Sequence, residues 1–323
     1  MKKIILSIII PTHRRIDKLN LIIKKLLKQI PININTEIIV CDNEDNTFYK
    51  NLKNFNKKNL SIKYLFCSKN SNALKRNNGI QKAKGKNLIL LDDDCLPAKN
   101  FIIEYLNLFK KITDKDILCG SVKYLKKNIN TKNFTRYRQS RHFVYSNNSI
   151  NRKKYLEASK IVTMNMGMKN SKLLKKTKYF NEHFGGYGFE DYEFGYRLIK
   201  KGFIFLPSKP LIYHLDERNY RSYLNKIYFL SRYSVASLKK INYQSWENSI
   251  YFKIENNYFV NFFSKIKYIY SFIEIIEKFI EFIERKFFLY LPKLYRIGIF
   301  LSYCRGYYDR KVIKRNKNYD WYK

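Results

Sequence analysis

Residues 4–10, IILSIII, are apolar except for Ser7 and end at Pro11, the pattern of a parallel strand covered on both faces. Residues 17–30 change period, and Leu19, Ile22, Ile23, Leu26 and Leu27 fall on one side of a helix. Apolar runs at 37–41 and 62–66 predict two further strands. A helix follows over 72–84, stopped by Gly85, then a fourth strand over 87–91, and helical spacing returns at 98–111. Strands alternating with helices predict an α/β fold with a doubly wound, mostly parallel sheet. Such sheets bind ligands beyond the carboxyl ends of their strands. Three of these strands run into polar clusters: Thr12-His13-Arg14, Asp42-Asn43 and Asp92-Asp93-Asp94.

Beyond the alternating region the pattern weakens. Residues 125–160 are polar and basic, either an ordered loop over the site or a mobile lid. Four of the 11 glycines then crowd between Gly185 and Gly195. From about residue 220 the chain reads as helical, so the expected organisation is a catalytic domain over 1–220 and a helical extension over 221–323. Within 266–285 the charged residues Glu274, Glu277, Lys278, Glu281 and Glu284 form one stripe, with isoleucines and phenylalanines around the rest. That helix is expected to pack on the catalytic domain or on a second subunit of a homo-oligomer. Residues 287–311 interleave aromatics, aliphatics and cations, a composition suited to a bilayer interface.

Composition narrows the choices. With 28 Tyr, 24 Phe and 45% hydrophobic residues, the chain can bury a large core and is not a disordered protein. Its net charge of +38 suggests nucleic acid or an anionic membrane as partner. The charge is nonetheless spread along the chain and is mostly lysine, which fits a solvated surface, and no nucleic-acid partner is expected. The five cysteines are scattered without CxxC spacing, which argues against disulfides and a zinc site. The start MKKIILSIII imitates a signal peptide, but Pro11 and the cations His13, Arg14 and Arg15 follow it with no small-residue cleavage site. No stretch reaches the ~18 uncharged apolar residues of a membrane span. The expected location is cytoplasmic, peripheral to the inner face of the membrane if residues 287–311 dock there.

Two acidic clusters carry the candidate chemistry. Three adjacent carboxylates at a strand exit, Asp92, Asp93 and Asp94, repel one another unless a cation offsets the charge. Oxygen ligands of this kind suit Mg2+ or Mn2+. The second cluster, GGYGFEDYEFGYRL over residues 185–198, delivers Glu190 and Asp191 to the start of a helix, where the dipole favours acids. Helix capping alone is the bland reading of both clusters.

Taken together, IIIPTHRR, IIVCDN, ALKRNNGIQKAKGKNLILLDDDCLP and GGYGFEDYEFGYRL resemble, in order, the elements of a GT-A glycosyltransferase, most similar to inverting family 2. The last element is similar to the GWGxED-type motif of chondroitin polymerases and galactosyltransferases. The likeness spans residues 4–216 and implies a nucleotide-sugar donor, a UDP-sugar, and a saccharide or lipid-linked saccharide acceptor. It implies that Pro11, Thr12 and Arg14 line the nucleoside pocket and that Asp42 contacts uracil. Arg76 would lie near the diphosphate or ribose, Asp92 and Asp93 at the donor, and Asp94 on the metal with Asp92 and His214. Asp191 would be the general base, with Glu190, Tyr187 and Gly188 at the acceptor. Tyr187 and Phe189 depart from the Trp and Gly frequent in the motif. Other readings are a retaining transferase of the same fold and a metal-dependent nucleotidyltransferase. The latter expects a glycine-rich, lysine-bearing loop after strand one, where this chain has PTHRRIDKL.

Overall fold

The computed structural model describes residues 3–44, 52, 55–146, 150–184, 188–216, 218–266, 268–287 and 289–312. The chain forms two compact units, one of Met1–Lys123, His142–Glu182 and Glu190–Asp216, the other of Tyr124–Arg141, His183–Phe189 and Glu217–Lys323.

The first unit is built on eight strands: β1 (Leu6–Pro11), β2 (Thr36–Asp42), β3 (Leu60–Phe66), β4 (Asn87–Leu91), β5 (Cys95–Pro97), β6 (Asp116–Tyr124), β7 (Asn165–Lys169) and β8 (Ile204–His214). They form one sheet in the order β3-β2-β1-β4-β7-β6-β8-β5. The four strands β3-β2-β1-β4 are parallel, as their continuous apolar runs predict. The other half is not. β7 is antiparallel to both β4 and β6, and β5 is antiparallel to β8, so the sheet is mixed rather than mostly parallel. The physical reason lies between β6 and β7. There the chain forms two short helices of the second unit, Lys126–Thr131 and Asn133–Gln139, instead of the crossover a parallel neighbour needs.

Alternate residues of β1 enter opposite cores. Leu6, Ile8 and Ile10 pack with Leu19, Ile22, Ile23 and Leu26 of α1 (Ile16–Leu27) and with Phe101, Tyr105 and Phe109 of α3 (Phe101–Phe109). Ile9 faces the other side, with Ala73 and Ile80 of α2 (Asn72–Lys82) and Phe194 and Leu198 of α4 (Glu190–Lys200). Both faces of β1 are thus apolar, and the period-two signature of a half-exposed strand is absent. Registers Pro11↔Cys41 and Ile9↔Leu90 align the ends of β1, β2 and β4, so Thr12, Asp42 and Asp92 emerge along one edge.

The second unit is helical, and its long elements include α5 (Tyr220–Phe229), α6 (Ile269–Phe287) and α7 (Pro292–Val312). One face of α7 is interior: Tyr295, Tyr303, Cys304 and Tyr307 are buried. Two glycines permit this. A Cβ at Gly298 would run into the Tyr220 hydroxyl, and one at Gly306 into the Tyr228 carbonyl oxygen. Tyr228 Oη donates to Asp309 Oδ2 at 2.7 Å and Ser231 Oγ to the Tyr303 carbonyl at 2.7 Å, closing the same contact. Tyr295, Tyr303 and Tyr307 of 287–311 thus serve packing, while Phe287, Leu289, Ile297 and Tyr308 are exposed. On α6, Ile273 and Ile280 are buried and Glu277 faces Arg221 at 3.5 Å, whereas Phe272, Ile275, Phe279 and Phe282 are exposed on a neighbouring stripe. No helix among the described residues is long and apolar enough to cross a membrane.

Candidate active site

The site grows from the turn that follows β4. Asp92, Asp93 and Asp94 each meet a different set of partners. Asp92 Oδ1 accepts from Arg76 Nη2 at 3.0 Å. Asp93 accepts from Thr12 Oγ1 at 2.7 Å and from Arg15 Nη1 at 2.9 Å. Asp94 Oδ2 takes the same Arg15 nitrogen at 3.0 Å, while its Oδ1 lies 3.5 Å from His214 Nε2. The antiparallel pair Cys95↔His214 brings this histidine in, and the Leu215 amide donates to the Asp94 carbonyl at 2.7 Å.

The electrostatics follow from burial and partners. Burial pushes Asp93 up to about 6, against the pull of Arg15. It also raises Asp92, with Arg76 opposing. Burial acts on Asp94 in the same sense, but the hydrogen bond and charge of His214 and the charge of Arg15 win and hold it below the usual carboxylate range.

Arg76 joins the two acidic clusters. It is wholly buried, and beyond Asp92 its Nη1 lies 3.5 Å from Glu190 Oε1 and 3.4 Å from Asp191 Oδ1. Its guanidinium also stands over the Phe180 ring at 5.6 Å. Burial disfavours the charge, but Asp92, Asp191 and Glu190 more than compensate and raise its pKa. Asp191 is oriented by Thr163, whose hydroxyl donates to Oδ1 at 2.6 Å and whose amide donates to Oδ2 at 3.1 Å. Glu190 differs from its neighbour. Its Oε2 is buried with no hydrogen-bond partner, and burial together with the Asp191 charge pushes it up to about 7.

The approach to these acids is conformationally unusual. Gly188 and Phe189 both have positive φ, 91° and 75°, immediately before α4. Glycine tolerates this region freely, whereas phenylalanine does not. The Phe189 ring is buried and meets Tyr251 edge-on with centroids 4.9 Å apart, packing that offsets the backbone strain. Tyr187 lies outside the described residues.

At the β1 and β2 exits, Pro11, Thr12 and Asp42 are buried. Arg14 points elsewhere: its side chain is 70% exposed and pairs with Glu44 at 2.8 Å. Its neighbour Arg15 is the arginine that reaches the aspartates. Lys75 was also not apparent from sequence. Fully buried, its Nζ donates to the Thr12 carbonyl, Asn43 Oδ1 and Asn70 Oδ1, each at 2.7 Å, and lies 3.3 Å from Asp42 Oδ1. Thr163, too, gave no signal, because its partner is distant in the chain. Lys75 adjoins Arg76 within the KRNNG run, and Arg15 stands one turn of chain from Thr12; those adjacencies were the available clues.

Asp94, Cys95 and His214 offer ligand atoms within 4.8 Å of one another. A carboxylate oxygen and an imidazole nitrogen suit a hard divalent cation such as Mg2+ or Mn2+. The Cys95 thiol does not join them, since burial raises its pKa well above the ordinary value and its Sγ donates to Asp94 Oδ1 at 3.7 Å. The donor set fits a cation held by Asp94 and His214, with Asp92 engaged by Arg76.

A mixed sheet with an acid-rich turn after its fourth strand and a second acid pair at a late helix start defines a GT-A-type transferase. The model of glycosyl transferase family 2 matches residues 7–176, more than half of the 323-residue chain, and the protein belongs to that family. It is a glycosyltransferase. The crystal structure of TarS 1–349 from S. aureus matches with a TM-score of 0.52 at 15% identity, covering 95% of this chain and 91% of that one. The same TarS fragment in complex with UDP-GlcNAc matches with a TM-score of 0.53 at 14% identity, over 95% and 92% of the two chains. No curated protein sequence matches the chain.

Proposed function

We propose that the enzyme transfers a sugar, with inversion, from a UDP-sugar to a saccharide acceptor in the synthesis of a bacterial surface glycan. One observation carries this reading: Arg76 ties Asp92, on the donor side, to Glu190 and Asp191. Leaving-group and acceptor chemistry thereby share one buried cation. A bound UDP-GlcNAc in the similarly folded TarS supports the choice of donor.

In this reading Asp42 accepts from the nucleobase, with Lys75 fixing the turn around it. Asp191 takes the proton from the acceptor hydroxyl as that oxygen attacks the anomeric carbon, on the face opposite the breaking bond to phosphate. Thr163 and Arg76 hold the carboxylate in the required direction. Glu190, neutral for much of the time near pH 7, donates a hydrogen bond to the acceptor sugar. When bound between Asp94 and His214, a divalent cation supplies Lewis-acid stabilisation of the departing diphosphate. Where the acceptor is lipid-linked, the exposed Phe272, Ile275, Phe279 and Phe282 of α6 suit contact with the apolar layer of a membrane surface, as do the exposed Ile297 and Tyr308 of α7. Lys286 lies over the Phe282 and Phe287 rings, at the end of α6 away from the exposed Glu274.

Calorimetric titration of UDP with and without Mn2+ tests the donor site. Metal-dependent binding that Asp94→Asn abolishes is the expected result; no binding in either condition would defeat the assignment. NMR of the product's anomeric configuration tests inversion.

A further inference from the structure

The three aspartates after β4 carry three formal negative charges, and two arginines stand against them. Arg76 is committed to Asp92 and to the acids of α4. Arg15 bridges the other two, with one nitrogen 2.9 Å from Asp93 Oδ1 and 3.0 Å from Asp94 Oδ2. Asp94 is therefore shared. Its Oδ1 faces His214, where a cation would bind, and its Oδ2 is held by a permanent positive charge. Thr12 Oγ1 fastens Asp93 Oδ2 from the same β1–α1 turn, so the guanidinium and its carboxylates are a fixed group. Arginine cannot lose its proton at any working pH, which makes this charge constant.

We propose that Arg15 makes metal binding conditional on the nucleotide. This rests on the metal reading given above. Arg15 with Asp93 and Asp94 carries one net negative charge, and a divalent cation beside the three turns it into one net positive charge. A diphosphate reverses that imbalance by supplying its own negative charges. The cation and the nucleotide thus bind cooperatively, and by linkage each strengthens the other by the same factor. Arg15 is a positioning residue here. It acts on the metal through Asp94 and through its charge, and its side chain is 42% exposed, so its effect is moderated by solvent.

The test is Mn2+ affinity by calorimetry, with and without UDP, for wild type, Arg15→Met and Arg15→Lys. Wild type should bind Mn2+ weakly alone and far more tightly with UDP. Arg15→Met should bind Mn2+ alone about tenfold more tightly, as expected for removing one partly solvated like charge a few ångströms away. Its gain from UDP should shrink, and Arg15→Lys, which keeps the charge, should stay near wild type. Mn2+ binding alone that is unchanged or weaker in Arg15→Met, while wild type keeps its UDP dependence, would overturn the inference and leave the site reading intact. A shift in Arg15→Lys equal to that in Arg15→Met would also overturn it, because charge would then not be the cause. Wild type that binds no Mn2+ in either condition would instead remove the site reading itself.

Discussion

Replacing Arg76 by methionine isolates the cation on which both acidic clusters depend. The variant keeps an unbranched apolar stem but loses the guanidinium over Phe180 and leaves Asp92, Glu190 and Asp191 without their shared counter-charge. Breaking a buried ion pair by removing one partner costs about 3–5 kcal/mol, because the remaining charge stays desolvated. At roughly 2–4 °C per kcal/mol for a domain of this size, the melting temperature should fall by about 6–20 °C. The orphaned acids can relieve the penalty by taking up protons. Burial already raises Asp92 and Glu190, and losing Arg76 raises both further, so stability is retained at low pH and lost as pH rises. Thermal unfolding of wild type and Arg76→Met at pH 5 and pH 8 measures this directly, with the larger deficit at pH 8. A deficit under about 1 kcal/mol, or one equal at both pH values, would refute the reasoning. Arg76→Lys should fall between, since one ammonium cannot reach both clusters as the two guanidinium nitrogens do.

Other expectations follow from the same geometry. Glu190 sits near 7 in the folded protein against an ordinary 4.5, so its contribution to stability is full below 4.5 and lost as pH rises through 7. Glu190→Gln should therefore be more stable than wild type at pH 8, by about 1–3 kcal/mol, with little gain at pH 4.5; urea denaturation at both pH values decides. Gly306→Ala should destabilise by about 1–3 kcal/mol, because the added methyl meets the Tyr228 backbone and Ser231 Cβ; a neutral result in chemical denaturation would contradict the close packing. Phe279→Ser with Phe282→Ser should lower co-sedimentation with anionic vesicles tenfold or more at about 1.5–3 kcal/mol per buried ring, and unchanged binding would remove the membrane assignment.

The parallel half of the sheet was readable because strands covered on both faces need long apolar runs. Residues 87–91 coincide with β4, and β1 and β2 differ from expectation by one or two residues at their ends. β8 was hidden by Pro207 and Pro210, which cannot donate to a ladder and read as breaks. β7 is five residues with a central glycine, NMGMK, too short and too weakly apolar to stand out. At the site, residue types and spacing pointed to the acids, and the family resemblance to Arg76, but neither pointed to Arg15. Arg15 is 78 residues from Asp93 in the chain, and one of two adjacent arginines reaches the aspartates while the other faces solvent; only folding separates them.

Lys75 has a consequence for what the enzyme can tolerate. Its one ammonium fastens the end of β1, the end of β2 and the loop before α2 through the Thr12 carbonyl, Asn43 and Asn70. Rearranging any of these would strand a charge with no access to water. On the proposed donor reading, the surroundings of Asp42 are thus set when the chain folds and cannot remodel themselves for a different base. Asp191 is held as firmly, by Thr163 and Arg76, but Glu190 keeps one oxygen unpartnered, which leaves room for varied hydroxyls. Diversification of this scaffold should consequently proceed at the sugar end, with the base held constant.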